Sequence, residues 1–402
     1  YRGAVAGYLY GTNTIENITV SGSIAGNDYV GGIAGKPLLN ANNPGTLTIR
    51  GCVNAANIEG KDKIGGVVGY ARADVAGTTK VVVENCRNTG AVSGAQYIGG
   101  IAGWAYNAEI KSCVNSGVLE SAASDSSVGG IVGNANQNVT VSDCVNNADI
   151  NGADVVGGII GTSNSGNAIV SKCANSGSVA GVNNVAGIIG GTAASGDAID
   201  NCYNSGVITA SGDSATVAGI YAYNNSSCDV KACYNIGSLN STGASAKKYQ
   251  IGKSEYWYDQ ATGSKILSCY YKEDGKIYKA AENGEGEGAL QDGMTSQQLA
   301  DALNVAGGVS GYWVIDGADV IPGDYADDLE AKVVATVGGV PYSSVQEAVE
   351  AATGYGDSRP VKLEVDVATS STIEIAGDVT IDLSGHSITA NDTRAIHVKS
   401  GK

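Results

Sequence analysis

Nine cysteines, two histidines and a run of aspartates after residue 315 are the residues whose types could do chemistry in this chain. Thiols can pair as disulfides in an exported protein or hold zinc as thiolates. Paired histidines in an H-E-x-x-H arrangement hold a catalytic zinc, and clustered carboxylates cleave polysaccharides or collect calcium. Spacing decides among these. Cys52, Cys86, Cys113, Cys144, Cys173, Cys202, Cys233 and Cys269 follow one another at 34, 27, 31, 29, 29, 31 and 36 residues, with no C-x-x-C pair. Ile18 stands where a still earlier member would be. Tetrahedral ligation needs clustered ligands, whereas one thiol per repeat makes a column, so these cysteines read as a row of small, buried, apolar groups. Stacked neighbours would still be close enough for an occasional bridge. Cys228 occupies the place of Leu47, Val81 and Val139 in other repeats and is expected to point inward.

The remaining candidates weigh less. His386 and His397 lie eleven apart in strand-like sequence, outside any H-E-x-x-H, and His386 follows Gly385 in a turn. One outward position is held in successive repeats by Glu59, Ser93, Glu120, Asn151, Ala180 and Thr209, the random column of a solvated face. Asp316, Asp319, Asp324, Asp327 and Asp328 could collect calcium between two modules, but their spacing fits no EF-hand, and a solvated linker is the better reading. Ser254-Glu255-Tyr256-Trp257-Tyr258 could stack on carbohydrate; packing against the end of the repeat array is the favoured role. No catalytic, cofactor-binding or metal-binding residue is assigned, and the chain reads as a non-enzyme.

The elements that carry these residues are set by one repeated unit: a cysteine, an asparagine two places on, a glycine or alanine two further, an apolar residue, then V-G-G-I-x-G. The asparagines are Asn54, Asn88, Asn115, Asn146, Asn175, Asn204 and Asn235. A β-branched residue stands three places before every cysteine of the column, from Ile49 and Val83 to Ile266. Each unit offers three short apolar stretches with period-two alternation, too short to bury a core alone. Around Cys144 these are Val139–Val141, Ala148–Ile150 and Val155–Val156 running into Ile159-Ile160. Stacked copies give parallel sheets, so the fold predicted for 1–271 is an all-β parallel β-helix of about eight rungs at about 4.8 Å spacing, right-handed by the crossover rule. Its asparagines should form an amide ladder. The first glycine of V-G-G-I-x-G relaxes to Ala186 and Ala218 while the second does not, which predicts a positive φ or close backbone approach at the second alone. A phosphate-binding loop is disfavoured, since no G-x-G-x-x-G entering a long helix follows a strand.

Residues 272–330 read as a charged glycine-rich loop to Gly293, a helix in MTSQQLADALN capped by Thr295 or Ser296, a strand carrying Trp313 and the acidic linker. Helix and strand suit a cap over the last rung. From 331 to 402 a strand with Val333, Val337 and Val340, a helix in SSVQEAVEAA capped by Ser343 or Ser344, and the strands VKLEVDV, STIEI and DVTIDLSGHSITA read as the beginning of a second β-helix, its helix over the first rung. The chain has 402 residues, 59 glycines, no phenylalanine and a net charge of −16. That charge argues against nucleic acid and anionic membrane, and no apolar run is long enough to span a bilayer.

The C-x-N-x-G…VGGIxG unit, as in CVNSGVLESAASDSSVGGIVG from Cys113, resembles the GLUG repeat of large bacterial surface proteins over roughly residues 1–271. MTSQQLADALN…YWVIDG resembles what commonly follows such repeats, and VTIDLSGHSITA resembles the opening rungs of pectate-lyase-like β-helix modules. The resemblance implies an exported, cell-surface multidomain protein, often an adhesin, and the same repeat accompanies some immunoglobulin-A-cleaving metallopeptidases; no catalytic residues carry over. The expected function is an extracellular scaffold or adhesin at the bacterial surface whose partner is a host or bacterial glycan or protein. The alternatives are the non-catalytic front part of a larger secreted enzyme and a self-associating filament subunit.

Overall fold

The computed structural model describes the chain apart from residues 76–78, 193–195, 225–227, 253–264, 282–287, 324–334, 338–339, 343–344, 355–359, 364–366, 370–371, 376, 391–393 and 400–402. It divides into two compact units, Tyr1–Tyr325 and Ala326–Lys402.

In the first unit the repeat does what its pattern requires. Each turn lacks the apolar surface for a core of its own, and its β-branched residues favour extended backbone, so copies stack in register. Asn115 lies opposite Asn146, Val128 opposite Val156 and Val141 opposite Val170. Repetition builds parallel sheets of eight, eight and nine strands, plus paired ladders of shorter strands: a parallel β-helix. The turn around Cys144 contains five strands rather than the three stretches expected: Thr140–Ser142, Val145–Asn146, Ile150–Asn151, Val155–Gly157 and Ile160–Ser165. The extra breaks fall at the bend after the asparagine and at the glycine pair, which divides the third stretch between two sheets.

The corner before each cysteine is left-handed. Ser112, Asp143, Lys172, Asn201 and Ala232 have φ between 51° and 54°, conformations that non-glycine residues seldom adopt. Stacking holds them there, because each N–H donates to a carbonyl of the next turn: Ser112 to Ser142, Asp143 to Ser171, Lys172 to Asp200. The second glycine of V-G-G-I-x-G, where positive φ was one expectation, has none. Its constraint is close approach. A Cβ on Gly158 would stand 2.0 Å from the Gly187 carbonyl oxygen and 2.5 Å from Asn175 Cγ, and the same pairing of glycine with asparagine recurs from Gly32 with Asn54 to Gly219 with Asn235. The first glycine is equally tight, against expectation: a Cβ on Gly157 would lie 1.9 Å from the Ile160 oxygen. Ala186 and Ala218 are accommodated together, opposite one another in adjacent turns within a small apolar cluster.

The asparagine ladder therefore crosses the interior and divides it. On one side lie the cysteines with Val141, Ile131 and Ile159, on the other Leu119, Ile150, Val128 and Val156, all buried. The interior is thus two hydrophobic columns with an amide partition between them.

Further expectations change after Cys269. The charged stretch from Lys272 is not a loop throughout: Tyr270–Glu273 and Lys276–Lys279 form an antiparallel hairpin, to which Ala289–Leu290 adds. Asp274-Gly275, at φ 49° and 75°, makes its turn. The helix Ser296–Gly307 forms as expected, with Thr295 as N-cap in a capping box with Gln298 and Gly308 as its left-handed C-cap. It packs on the side of the stack rather than over its end. Leu299, Leu303, Tyr312 and Trp313 cover an outward stripe formed by the residue after each cysteine: Val114, Val145, Ala174, Tyr203, Tyr234 and Tyr270. The stripe is apolar from Val114 onward and must be hidden from water, which draws the helix sideways. The Tyr312 hydroxyl donates to the Asn201 carbonyl at 3.2 Å, and the Trp313 indole to Asn201 Oδ1 at 3.4 Å.

In the second unit Ala335–Val337 pairs antiparallel with Val340–Tyr342, where one strand was expected. The helix Val345–Gly354 follows; its expected caps Ser343 and Ser344 lie outside the described residues. Strands Val361–Leu363, Val367–Thr369 and Ile373–Ile375 then pair in parallel with Ile381–Asp382, Ile388–Ala390 and Ile396–Val398, the stacking of early β-helix turns. The helix buries Val345, Ala348, Val349 and Ala352 against Val361, Leu363, Ile373 and Ile375.

Candidate functional site

All nine cysteines are buried and free. Eight form the column, one per turn, and each thiol lies against two carbonyls: Cys144 Sγ is 3.1 Å from Ser142 O and 3.7 Å from Ile110 O of the preceding turn. Burial pushes the thiols of Cys86, Cys113 and Cys269 well above their ordinary range. Cys228 is buried as expected, but its opposite number in the preceding turn is Asp197. The asparagines make the predicted ladder, Nδ2 of each donating to Oδ1 of the next at 2.8 Å from Asn54 to Asn235. The second hydrogen on each Nδ2 goes to the carbonyl two residues on, as from Asn146 to Ala148 at 2.9 Å. Every amide points the same way, and the donor end is closed by Gln250 Oε1, whose own amide donates to Glu273 at 3.1 Å. A carboxylate suits the positive end of such a dipole chain.

The weaker candidates are spread apart. Glu59, Ser93, Glu120, Asn151, Ala180 and Thr209 do form one column, without a common chemistry. His397 Nδ1 lies 3.0 Å from Glu374, which also pairs with Lys399, and the His386 N–H donates to Leu383 O in a turn. Asp319 is paired with Lys272; Asp324, Asp327, Asp328 and the Ser254–Tyr258 patch lie outside the described residues. A cavity of about 870 Å³ at the last turn holds the Gln250–Glu273 and Lys272–Asp319 pairs, whose polar groups already serve one another.

Two features escaped the sequence reading. The first is Asp197, 2% exposed in a column otherwise made of Val81, Ala108, Val139, Ala168 and Cys228. Its Oδ1 accepts the Ala168 N–H at 2.8 Å, and its Oδ2 has no partner at hydrogen-bonding geometry among the described residues. Burial pushes its carboxyl up to about 6, against the weaker pull of the Ala168 amide and the Ser163 hydroxyl. A polar residue at a position that is apolar from Leu47 through Ala168 and again at Cys228 was its signal.

The second is a re-entrant cleft. At the glycine pair the chain folds so sharply that the outward faces of two sheets meet: a Cβ on Gly103 would stand 2.4 Å from Ile64 N. The residues facing one another are those immediately flanking V-G-G-I-x-G, namely Tyr29 and Lys36, Lys63 and Tyr70, Tyr97 and Trp104, then Ser127 and Asn134. Tyr29 stacks on Tyr70 at 5.8 Å and Tyr97 meets Trp104 edge-on at 4.5 Å. Lys63 Nζ lies 4.6 Å from the Trp104 ring, and Lys36 Nζ within 5.2–6.0 Å of Tyr1, Tyr8, Tyr29 and Tyr70. These are cation–π distances. Tyr29 and Lys63 hold left-handed backbone, φ 55° and 58°. Aligning the residues on either side of the glycine motif would have exposed this pattern.

No protein-family model matches the chain, and no curated protein does. Among solved structures the chain is similar to one described as a "putative immunoglobulin A1 protease from Bacteroides ovatus", at 18% identity and a TM-score of 0.36, over 78% of this chain and 76% of that one.

Proposed function

We propose that this chain is a non-catalytic segment of an extracellular bacterial surface protein, a stiff spacer of the GLUG-repeat, adhesin-like kind. The observation that supports it is the contrast between inside and outside. Interior positions repeat residue for residue, with seven asparagines in one unbroken ladder, while outward columns such as Glu59 to Thr209 change chemistry at every turn. Repetition conserved for stacking and relaxed at the surface suits a part whose task is reach and rigidity, leaving recognition to local patches. Among the described residues no helix is long and apolar enough to cross a membrane. Antibodies raised to this chain are expected to label intact cells of the source organism, with the label lost after protease shaving. Signal only after permeabilisation would overturn the proposal.

A further inference from the structure

We propose that the cleft flanking the glycine motif in the N-terminal turns binds an acidic saccharide, a pyranose carrying a carboxylate. Three observations converge there. Aromatic rings from two sheets, Tyr29, Tyr70, Tyr97 and Trp104, line it, and such rings stack on the C–H faces of sugars while offering polar edges. Of the six buried side-chain polar atoms without a hydrogen-bond partner among the described residues, four belong here: Trp104 Nε1, both amide atoms of Asn134, and Asp62 Oδ1 beside Lys63. Buried polar atoms are normally satisfied, so donors and acceptors left without partners together in one place point to a ligand, and hydroxyls, which donate and accept, match the mixture. Finally, in a chain of net charge −16, Lys63 and Arg72 sit at this cleft with Asp62 and Asp74 as partners. Lys36 has no carboxylate partner among the described residues and is held only by tyrosine rings. That unmatched charge selects a carboxylate on the sugar.

Later turns carry Val155 with Thr162 and Asn184 with Gly191 in the equivalent places, so the site is confined to the first turns. The inference gives a ligand class to the surface reading above and rests on that reading only for its setting.

The test is calorimetric titration of the full chain with a short oligosaccharide ending in glucuronic acid, beside the matching oligosaccharide ending in glucose. Saturable binding of the acidic probe is expected, weakened tenfold or more in Trp104→Ala and in Lys36→Gln, and unchanged in Lys247→Gln, which lies on the same outward ladder several turns away. If Trp104→Ala fails to fold by circular dichroism, the partly exposed Lys36 decides. Absence of saturable binding, equal binding of the neutral probe, unaltered affinity in Lys36→Gln, or a cleft occupied by a second copy of the chain, seen as dimer in light scattering, would each overturn it. Surface labelling with no saccharide binding would sink this inference and leave the scaffold proposal standing.

Discussion

Replacing Asn146 with Asp tests the amide partition at its centre. The native Asn146 accepts from Asn115 at 2.8 Å and donates to Asn175 at 2.8 Å and to the Ala148 carbonyl at 2.9 Å, all fully buried. Aspartate is nearly isosteric and keeps the acceptor, but both donations vanish and two acceptors are left facing carboxylate oxygen. A lone buried charge in broken pairing costs about 3–5 kcal/mol, and each orphaned acceptor about 1–3 kcal/mol. A loss of at least about 4 kcal/mol is therefore expected at pH 7, read as the midpoint shift in urea unfolding followed by circular dichroism. The pH dependence makes the test specific. Desolvation raises the folded-state pKa of the introduced carboxyl, so the penalty is smallest below its unfolded value near pH 4 and grows as pH rises through the folded value. Protonation at low pH restores one donor, and the gap to the parent protein should narrow there. An unchanged midpoint at pH 7, or a deficit independent of pH, would show that these amides do not form a desolvated ladder.

Asp197 carries the same logic natively. With its folded carboxyl raised from 3.8 to about 6, the favourable protonated state is fully present below pH 4 and lost as pH climbs past 6, a difference of about 3 kcal/mol at the usual 1.36 kcal/mol per pH decade; Asp197→Asn should stabilise the protein at pH 7, leave it level with the parent near pH 4, and thus flatten the stability profile between them. Thiol titration should find the buried cysteines silent in native buffer and nine free thiols after denaturation in guanidinium; stoichiometric disulfides would refute the buried-thiol column.

Much of the fold was legible from the spacing alone. Cysteine, asparagine and the glycine pair recur together because one stacked geometry imposes all three: the thiol fills the corner of one core, the amide spans the interior, and the second glycine lies against that amide, as Gly158 does against Asn175. A period of that kind specifies which residues meet along the rod axis, since each meets its own copy.

What the period leaves open is everything across the rod. That the interior holds two cores, that Lys172 and Ala232 take left-handed corners, that the helix Ser296–Gly307 covers the stripe from Val114 to Tyr270 sideways, and that Lys63 meets Trp104 depend on how sharply each turn bends. Those bends are fixed by close packing between residues of different columns, which carry no shared sequence signature. The amino-acid sequence by itself determined the axial order, because like stacks on like. Only the tertiary structure decided the lateral contacts and the cleft they create, because these join unlike residues whose proximity is set by the summed geometry of a whole turn.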